Sequence, residues 1–199
     1  MNASVEAGHV VTLPSAKTIA DGTAVKTPGD KLLPYISENL DDIITVEDEE
    51  LIVAFLDLME NHKMVAENSG LLTIAALKHM DVRGKKIVSI ISGGNMDVIT
   101  MSSVVQHGLI ARDRIFTVSV LLPDKPGQLV AVATKIAEKN ANVIRLEHNQ
   151  FFSINRNDLV ELRITLEAFG TEHKNEIVQM LQDAGYRPKV VQQKGTFQG

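Results

Sequence analysis

The residues best suited to chemistry in this chain are Ser92, Gly93 and Gly94, within the stretch SIISGGNMD at positions 89–97. A buried strand that enters a Gly-Gly turn and leaves as a helix brings free backbone N–H groups and a positive dipole end to one point. Open α/β sheets hold ligands at such points. The paired glycines let the backbone approach a ring or a phosphate closely, or take positive φ. Ser92 adds one neutral hydroxyl, and Asn95 is placed to cap the following helix. A tight turn with no ligand would use the same residues. PDKPGQL, residues 123–129, is a second candidate: its Pro-Gly turn opens a helix whose N–H groups can take a carboxylate while Asp124 meets an ammonium. Alternatively, Pro126 and Gly127 simply shape the turn.

The elements that must position these residues are clearest after residue 114. Phe116, Val118, Val120 and Leu122 alternate with polar neighbours, as a strand requires. Leu129, Val132, Ala133 and Ile136 have helical spacing, which predicts an amphipathic helix over 127–139. Residues 142–149 and 159–168 read as further strands, the second with one wet face. Thr171 is placed to cap a helix that stops at Gly185, and YRPKVV supplies a last strand. The order β-α-β-β-α-β is the split βαβ sandwich, two helices over one face of a four-stranded antiparallel sheet.

Upstream, Thr45 followed by VEDEE predicts a capped helix carrying Leu51, Phe55 and Leu58. Ser69 and Gly70 precede a shorter helix, LLTIAALKHM. RGKKIVSII is expected to be a strand buried on both faces, as in a parallel sheet, and MDVITMSSVVQHG the next helix, closed by Gly108. Residues 1–44 give mostly loop signals. One strand with its flanking helices is less than a sheet, so the first half reads as an incomplete domain.

Composition narrows the function classes. The 199 residues allow one large or two small domains. With no cysteine, disulfides, thiolate zinc sites and thiol catalysis are excluded. The histidines show no H-x-H or H-x-x-x-H spacing, so no metal site is expected. Residues 1–113 carry 9 Lys/Arg against 16 Asp/Glu, and residues 114–199 carry 11 against 9. Neither half has a basic stripe, so nucleic acid is not an expected partner. No apolar run is long enough for a membrane span, and MNASVEAGHV lacks the blocks of a signal peptide, which makes the cytoplasm the expected compartment. Lys17, Lys26 and the run EDEE at 47–50 read as solvated surface.

TIADGTAV (18–25), TVEDEEL (45–51), VAENSG (65–70), KKIVSIISGGN (85–95) and DKPGQL (124–129), in this order, resemble the C-terminal half of the threonine ammonia-lyases that depend on pyridoxal 5'-phosphate (PLP). The form resembled is the short one with a single C-terminal ACT domain. The resemblance implies an α/β fold: a partial fold-type II domain over 1–113, a parallel sheet with helices, followed by a ferredoxin-like βαββαβ ACT domain over 114–199. It implies that Ser92 faces the pyridine nitrogen of the cofactor beside Gly93 and Gly94, with Glu67 near the ring. A serine there, unlike an aspartate, would leave the ring nitrogen unprotonated. It further implies an amino acid effector at Asp124, Gly127, Asn142 and, less directly, His148, and homo-oligomers paired through the ACT domains. The family's Ser-Phe-Lys motif and phosphate-cradling glycine run are missing: no lysine here follows a phenylalanine. Without a Schiff-base lysine the chain alone is expected to be inactive. The parent reaction is conversion of threonine or serine to a 2-oxo acid and ammonia. A free amino-acid-binding ACT module with a vestigial first half is the rival reading, and a serine racemase a third.

Overall fold

The computed structural model describes residues 1–149 and 159–191. It divides into two compact units, Met1–Val105 and Gln106 onward.

The second unit is built from β1 (Ile115–Pro123), α6 (Gln128–Glu138), β2 (Asn142–Asn149), β3 (Leu159–Glu167), α7 (Thr171–Asp183) and β4 (Lys189–Val191). Its strands form one antiparallel sheet in the order β2-β3-β1-β4. The period-2 patterns set the pleat: Val118 and Val120 of β1 and Leu162 and Ile164 of β3 are buried, facing Val132 and Ile136 of α6 and Ile177 and Leu181 of α7. Each such side chain contributes about 1.5–3 kcal/mol of burial. The other face carries polar ladders, Thr117 with Thr165 at 2.9 Å and the Ser119 hydroxyl donating to Glu161 at 2.6 Å.

Thr171 does not cap α7. Gly170 occupies the cap position, and the Thr171 hydroxyl donates instead to Asp113 at 2.9 Å. At the same helix start, the Phe169 N–H donates to His173 Nδ1 and His173 Nε2 donates to the Lys139 carbonyl, which fixes the ring proton on Nε2. Burial alone would raise the Asp113 carboxyl, but the Lys174 ammonium at 2.6 Å and the Thr171 hydroxyl outweigh it and hold the carboxyl below its ordinary range. A depressed carboxyl contributes stability that is complete above its unfolded pKa, about 3.9, and is lost as pH falls through the lower folded value. Asp113→Asn is therefore expected to cost about 1–2 kcal/mol at neutral pH. The difference should shrink below about pH 3.9 as the wild-type carboxyl protonates, in urea melts followed across pH.

The first unit is helical, with α1 (Asn2–Ala7), α2 (Leu33–Asn39), α3 (Asp48–Asp57) and α4 (Leu72–Ala76). The helix α5 (Val98–Ala111) runs through the division between the units. Its core gathers Leu51, Phe55 and Leu58 from the α3 side with Leu71, Ala75 and Val104. Glu47, not Thr45, caps α3, in a reciprocal pair with Glu50. The acidic run is more than solvated surface. Asp48 Oδ2 accepts the Ile19 N–H at 3.1 Å and Asp48 Oδ1 the Thr18 hydroxyl, while Glu50 meets His79 at 2.8 Å. α5 passes Gly108 and ends at Ala111, because its i→i−4 bonding needs no break there.

The parallel sheet expected for residues 1–113 is not present among the described residues: every strand lies in 115–191 and all pairings are antiparallel. The run KKIVSII forms no strand and is largely exposed instead of buried on both faces. A strand is stabilised by its neighbours, and residues 1–105 supply none to it.

Candidate functional site

Four segments distant in sequence meet in the first unit. Asp48 holds the TIADG loop from the α3 start through its bonds to Thr18 and Ile19, and Asn68 Nδ2 donates to the Ile19 carbonyl at 3.0 Å. Asn68 is buried, and its Oδ1 has no hydrogen-bond partner among the described residues. Behind it, Gly22 sits so close to Ser69 that a Cβ there would lie 2.7 Å from Ser69 Oγ. The TIADG and NSG loops are therefore fitted to each other.

The SGGN turn closes the cluster. The Glu67 N–H donates to the Gly93 carbonyl at 3.4 Å, and the Ser69 hydroxyl donates to Glu67 Oε1 at 2.6 Å. Gly93 takes φ of 75°, and a Cβ on it would overlap the Glu67 carboxylate. Likewise, a Cβ on Gly70 would overlap the Ser92 carbonyl. Gly94, by contrast, faces open space. Ser92 is exposed beside it, and no described hydrogen bond takes its hydroxyl. Ser92, Gly93, Gly94 and Glu67 thus fall together, a neutral hydroxyl and a carboxylate beside a backbone that carries no side chains.

Asn95 does not cap α5. Asp97 does, its Oδ1 accepting the N–H groups of Ile99 and Thr100, each at 2.9 Å. Thr100 contacts hold the Asp97 carboxyl below its ordinary range. The donors that a dipole-end anion would use are occupied by the chain's own carboxylate. What the turn still offers a ligand is the Ser92 hydroxyl and the space at Gly94, which suit the edge of a ring better than a phosphate.

Ser69, Gly70, Gly22 and Asn68 belong to this cluster and were not singled out as site residues from sequence. Their signal was modest: small residues within three positions of an acid, and a glycine in a separate loop. Spacing along the chain does not show which loops meet.

The second unit holds its own cavity, of about 270 Å³, at the β1–α6 turn. Asp124, Gly127 and His148 line it together with Leu122, Gln128 and Val160. Gly127 has φ of 90° and nothing within 4 Å of an added Cβ, so the backbone opening α6 is accessible. Asn142 is not part of this cavity. It lies at the other end of β2, donating to Glu167 at 3.3 Å. Within one chain, then, three of the four expected effector residues converge and one does not. Among the described residues, no helix is long and apolar enough to cross a membrane.

Comparison with known proteins gives the following matches. Residues 1–93 match the family described as pyridoxal-phosphate dependent enzymes. L-threonine ammonia-lyase of Geobacter sulfurreducens is 39% identical over 186 residues, 92% of this chain and 46% of that protein. L-threonine ammonia-lyase of Thermotoga maritima is 34% identical over 192 residues, 96% of this chain and 48% of that protein. The biosynthetic L-threonine dehydratase of Escherichia coli is 32% identical over 190 residues, 94% of this chain and 36% of that protein. The chain spans about half the length of the first two relatives.

Proposed function

We propose that the chain, which is similar over nearly its whole length to L-threonine ammonia-lyases and matches the pyridoxal-phosphate dependent enzymes over residues 1–93, forms one side of such an enzyme's active site and carries its amino-acid-sensing domain. The observation that carries the proposal is the convergence of Glu67 and Gly70 on the Ser92–Gly93 turn, with Gly22 and Ser69 packed against Glu67. The TIADG loop is fitted to the NSG loop, and the NSG loop to the SGGN turn, while one hydroxyl and the space at Gly94 stay open.

The residues present fit one edge of the cofactor. Pyridoxal phosphate, when bound, supplies the electron sink that lets a β-hydroxy amino acid lose its α-proton and its hydroxyl group. Ser92 would hold the ring nitrogen: its hydroxyl can donate a hydrogen bond at neutral pH without giving up the proton. Glu67 is fixed by its bonds to Ser69 and Gly93, so its carboxylate stays beside the turn. Gly93 and Gly94 present no side chain that would block a flat ring. Residues of this chain do not supply the Schiff-base lysine motif, and that role is assigned to the part of the relatives' length that the chain does not cover.

The test is a fusion in which this chain replaces the aligned part of the Geobacter sulfurreducens enzyme. The fusion is expected to bind pyridoxal phosphate and to form 2-oxobutanoate from threonine. In it, Ser92→Ala removes one hydrogen bond worth about 1.4–2.7 kcal/mol at the reacting ring, a loss of roughly ten- to a hundredfold in kcat/KM. A folded fusion with neither cofactor absorbance nor product would refute the proposal.

In the same reading, the cavity at Asp124, Gly127 and His148 takes a free amino acid as effector, in a domain of ACT type that pairs with a second copy. Asp124→Ala is expected to weaken the binding of such an amino acid about tenfold or more in titration calorimetry. The rival reading, a stand-alone amino-acid-binding module, is favoured by this same cavity, which one unit lines by itself. Binding of an amino acid by the chain, together with a folded but inert fusion, would select the rival.

A further inference from the structure

Asp21 and Gly22 form the chain's single Asp-Gly pair, and there is no Asn-Gly. The pair opens one turn of 3-10 helix, Asp21–Thr23, in the loop that is fitted to Ser69. Both residues are exposed. The Asp21 side chain folds back onto the main chain, its Oδ1 accepting the Gly22 N–H at 2.9 Å. No backbone carbonyl takes that N–H among the described residues, whereas the N–H groups of Thr23 and Ala24 are both held by the turn. A carboxyl group and a main-chain nitrogen are thereby kept side by side, the arrangement that a ring closure needs. Two other aspartates repeat the contact: Asp30 Oδ1 accepts the Lys31 N–H at 2.8 Å, and Asp42 Oδ1 the Ile43 N–H at 2.7 Å. There the nitrogen belongs to a residue with a side chain, whose Cβ crowds the approach to the carboxyl carbon and narrows the rotation of the peptide plane. Glycine has neither restriction. The three sites share a contact and differ in the residue that follows.

We propose that Asp21–Gly22 is a site of spontaneous backbone isomerisation, and that the change unseats the TIADG loop from Ser69 and Glu67. The Gly22 nitrogen bonds to Asp21 Cγ, its proton leaves with the carboxyl hydroxyl as water, and a five-membered imide results. Water then opens the imide at the Asp21 main-chain carbonyl, breaking the bond from that carbon to the Gly22 nitrogen. One water is lost and one is taken up, and nothing is oxidised or reduced. The chain now reaches Gly22 through Cγ, one methylene longer. That length has no room: a single carbon added at Gly22 would already lie 2.7 Å from Ser69 Oγ and 3.5 Å from Glu67 Oε1. Asp48 holds Thr18 and Ile19, and Asn68 holds the Ile19 carbonyl, so the loop is fixed before the pair and the displacement falls on Gly22. No cofactor or partner is involved, and the inference stands apart from the functional reading above.

The experiment ages the full chain at neutral pH and physiological temperature and then digests it with trypsin. Cleavage after Lys17 and Lys26 releases residues 18–26, in which Asp21 is the sole acid and no asparagine is present, so a second chromatographic peak of equal mass reports this isomer alone. The isomer should form in the folded chain within about tenfold of its rate in the free peptide 18–26, because an exposed turn opens at little cost. At Asp30, read in residues 27–31, it should form at least about tenfold more slowly than at Asp21. Asp21→Asn should accelerate the change, with ammonia leaving in place of water. Asp21→Glu should abolish it, since the larger ring closes poorly. Limited proteolysis of the aged chain, at the urea midpoint of the fresh one, should remove isomerised molecules first and leave the survivors about fivefold depleted in the isomer. Three results would each overturn the inference: no isomer in the folded chain while the free peptide forms it, equal rates at Asp21 and Asp30, or equal isomer content in digested and surviving chains.

Discussion

Gly70→Ala should lower the stability of residues 1–105 by about 3 kcal/mol or prevent their folding. The added methyl would occupy the position of the Ser92 carbonyl, and a backbone group cannot turn aside as a side-chain end can. Relief requires moving the Ser92–Gly93 turn, which would break the Glu67–Gly93 hydrogen bond. Gly93→Ala should cost about 1–3 kcal/mol, from its positive φ together with overlap on a carboxylate that Ser69 holds in place. Gly94→Ala is the control: an added methyl meets nothing within 4 Å, so its effect should stay within about 0.5 kcal/mol. Urea midpoints followed by circular dichroism rank the three. Equal effects at 70 and 94 would show that the loops are not fitted as described. The same ranking is expected for cofactor retention in the fused enzyme, because the displaced turn is the one that presents Ser92.

Leu162→Ala is expected to cost about 2–5 kcal/mol in the transition of the second unit. Leu162 is fully buried at the centre of β3, paired with Val120 of β1 on one side and His148 of β2 on the other. Neighbours on both strands are fixed by the ladders and cannot collapse into the space left by the removed atoms. Leu121→Ala, one residue along the adjacent strand from Val120 but 46% exposed, should change stability by less than about 0.5 kcal/mol. The pair distinguishes register from composition: a slip of one residue would exchange the two effects. Because His148 lies opposite Leu162, loss of packing there should also loosen the cavity at Asp124 and Gly127, visible as weaker amino acid binding.

Particular elements show what could be read from the chain. Strands 116–122 and 159–168 were legible because water on one face and core on the other write a period of two into the residues themselves. The helix over 128–138 was legible for the same reason at a period of 3.6. Caps were less so: Thr45 and Thr171 are each good cap residues, but Glu47 and Gly170 hold those places, because a cap is chosen by the angle at which the chain enters, not by the hydroxyl alone. RGKKIVSII misled in an informative way. An apolar run states that it needs to be covered and leaves open by what.

The sequence by itself determined the local periods, the antiparallel second unit and the residue types at the turn after Ile91, since these depend on neighbours a few positions away. Only the tertiary structure decided that Gly22, Ser69 and Gly70 complete the Ser92–Gly93 site, that Asp97 takes the helix end, and that Val88 and Ile90 stand bare. Close approach between distant loops depends on where Cβ atoms would fall in space, and no spacing along a chain records that distance.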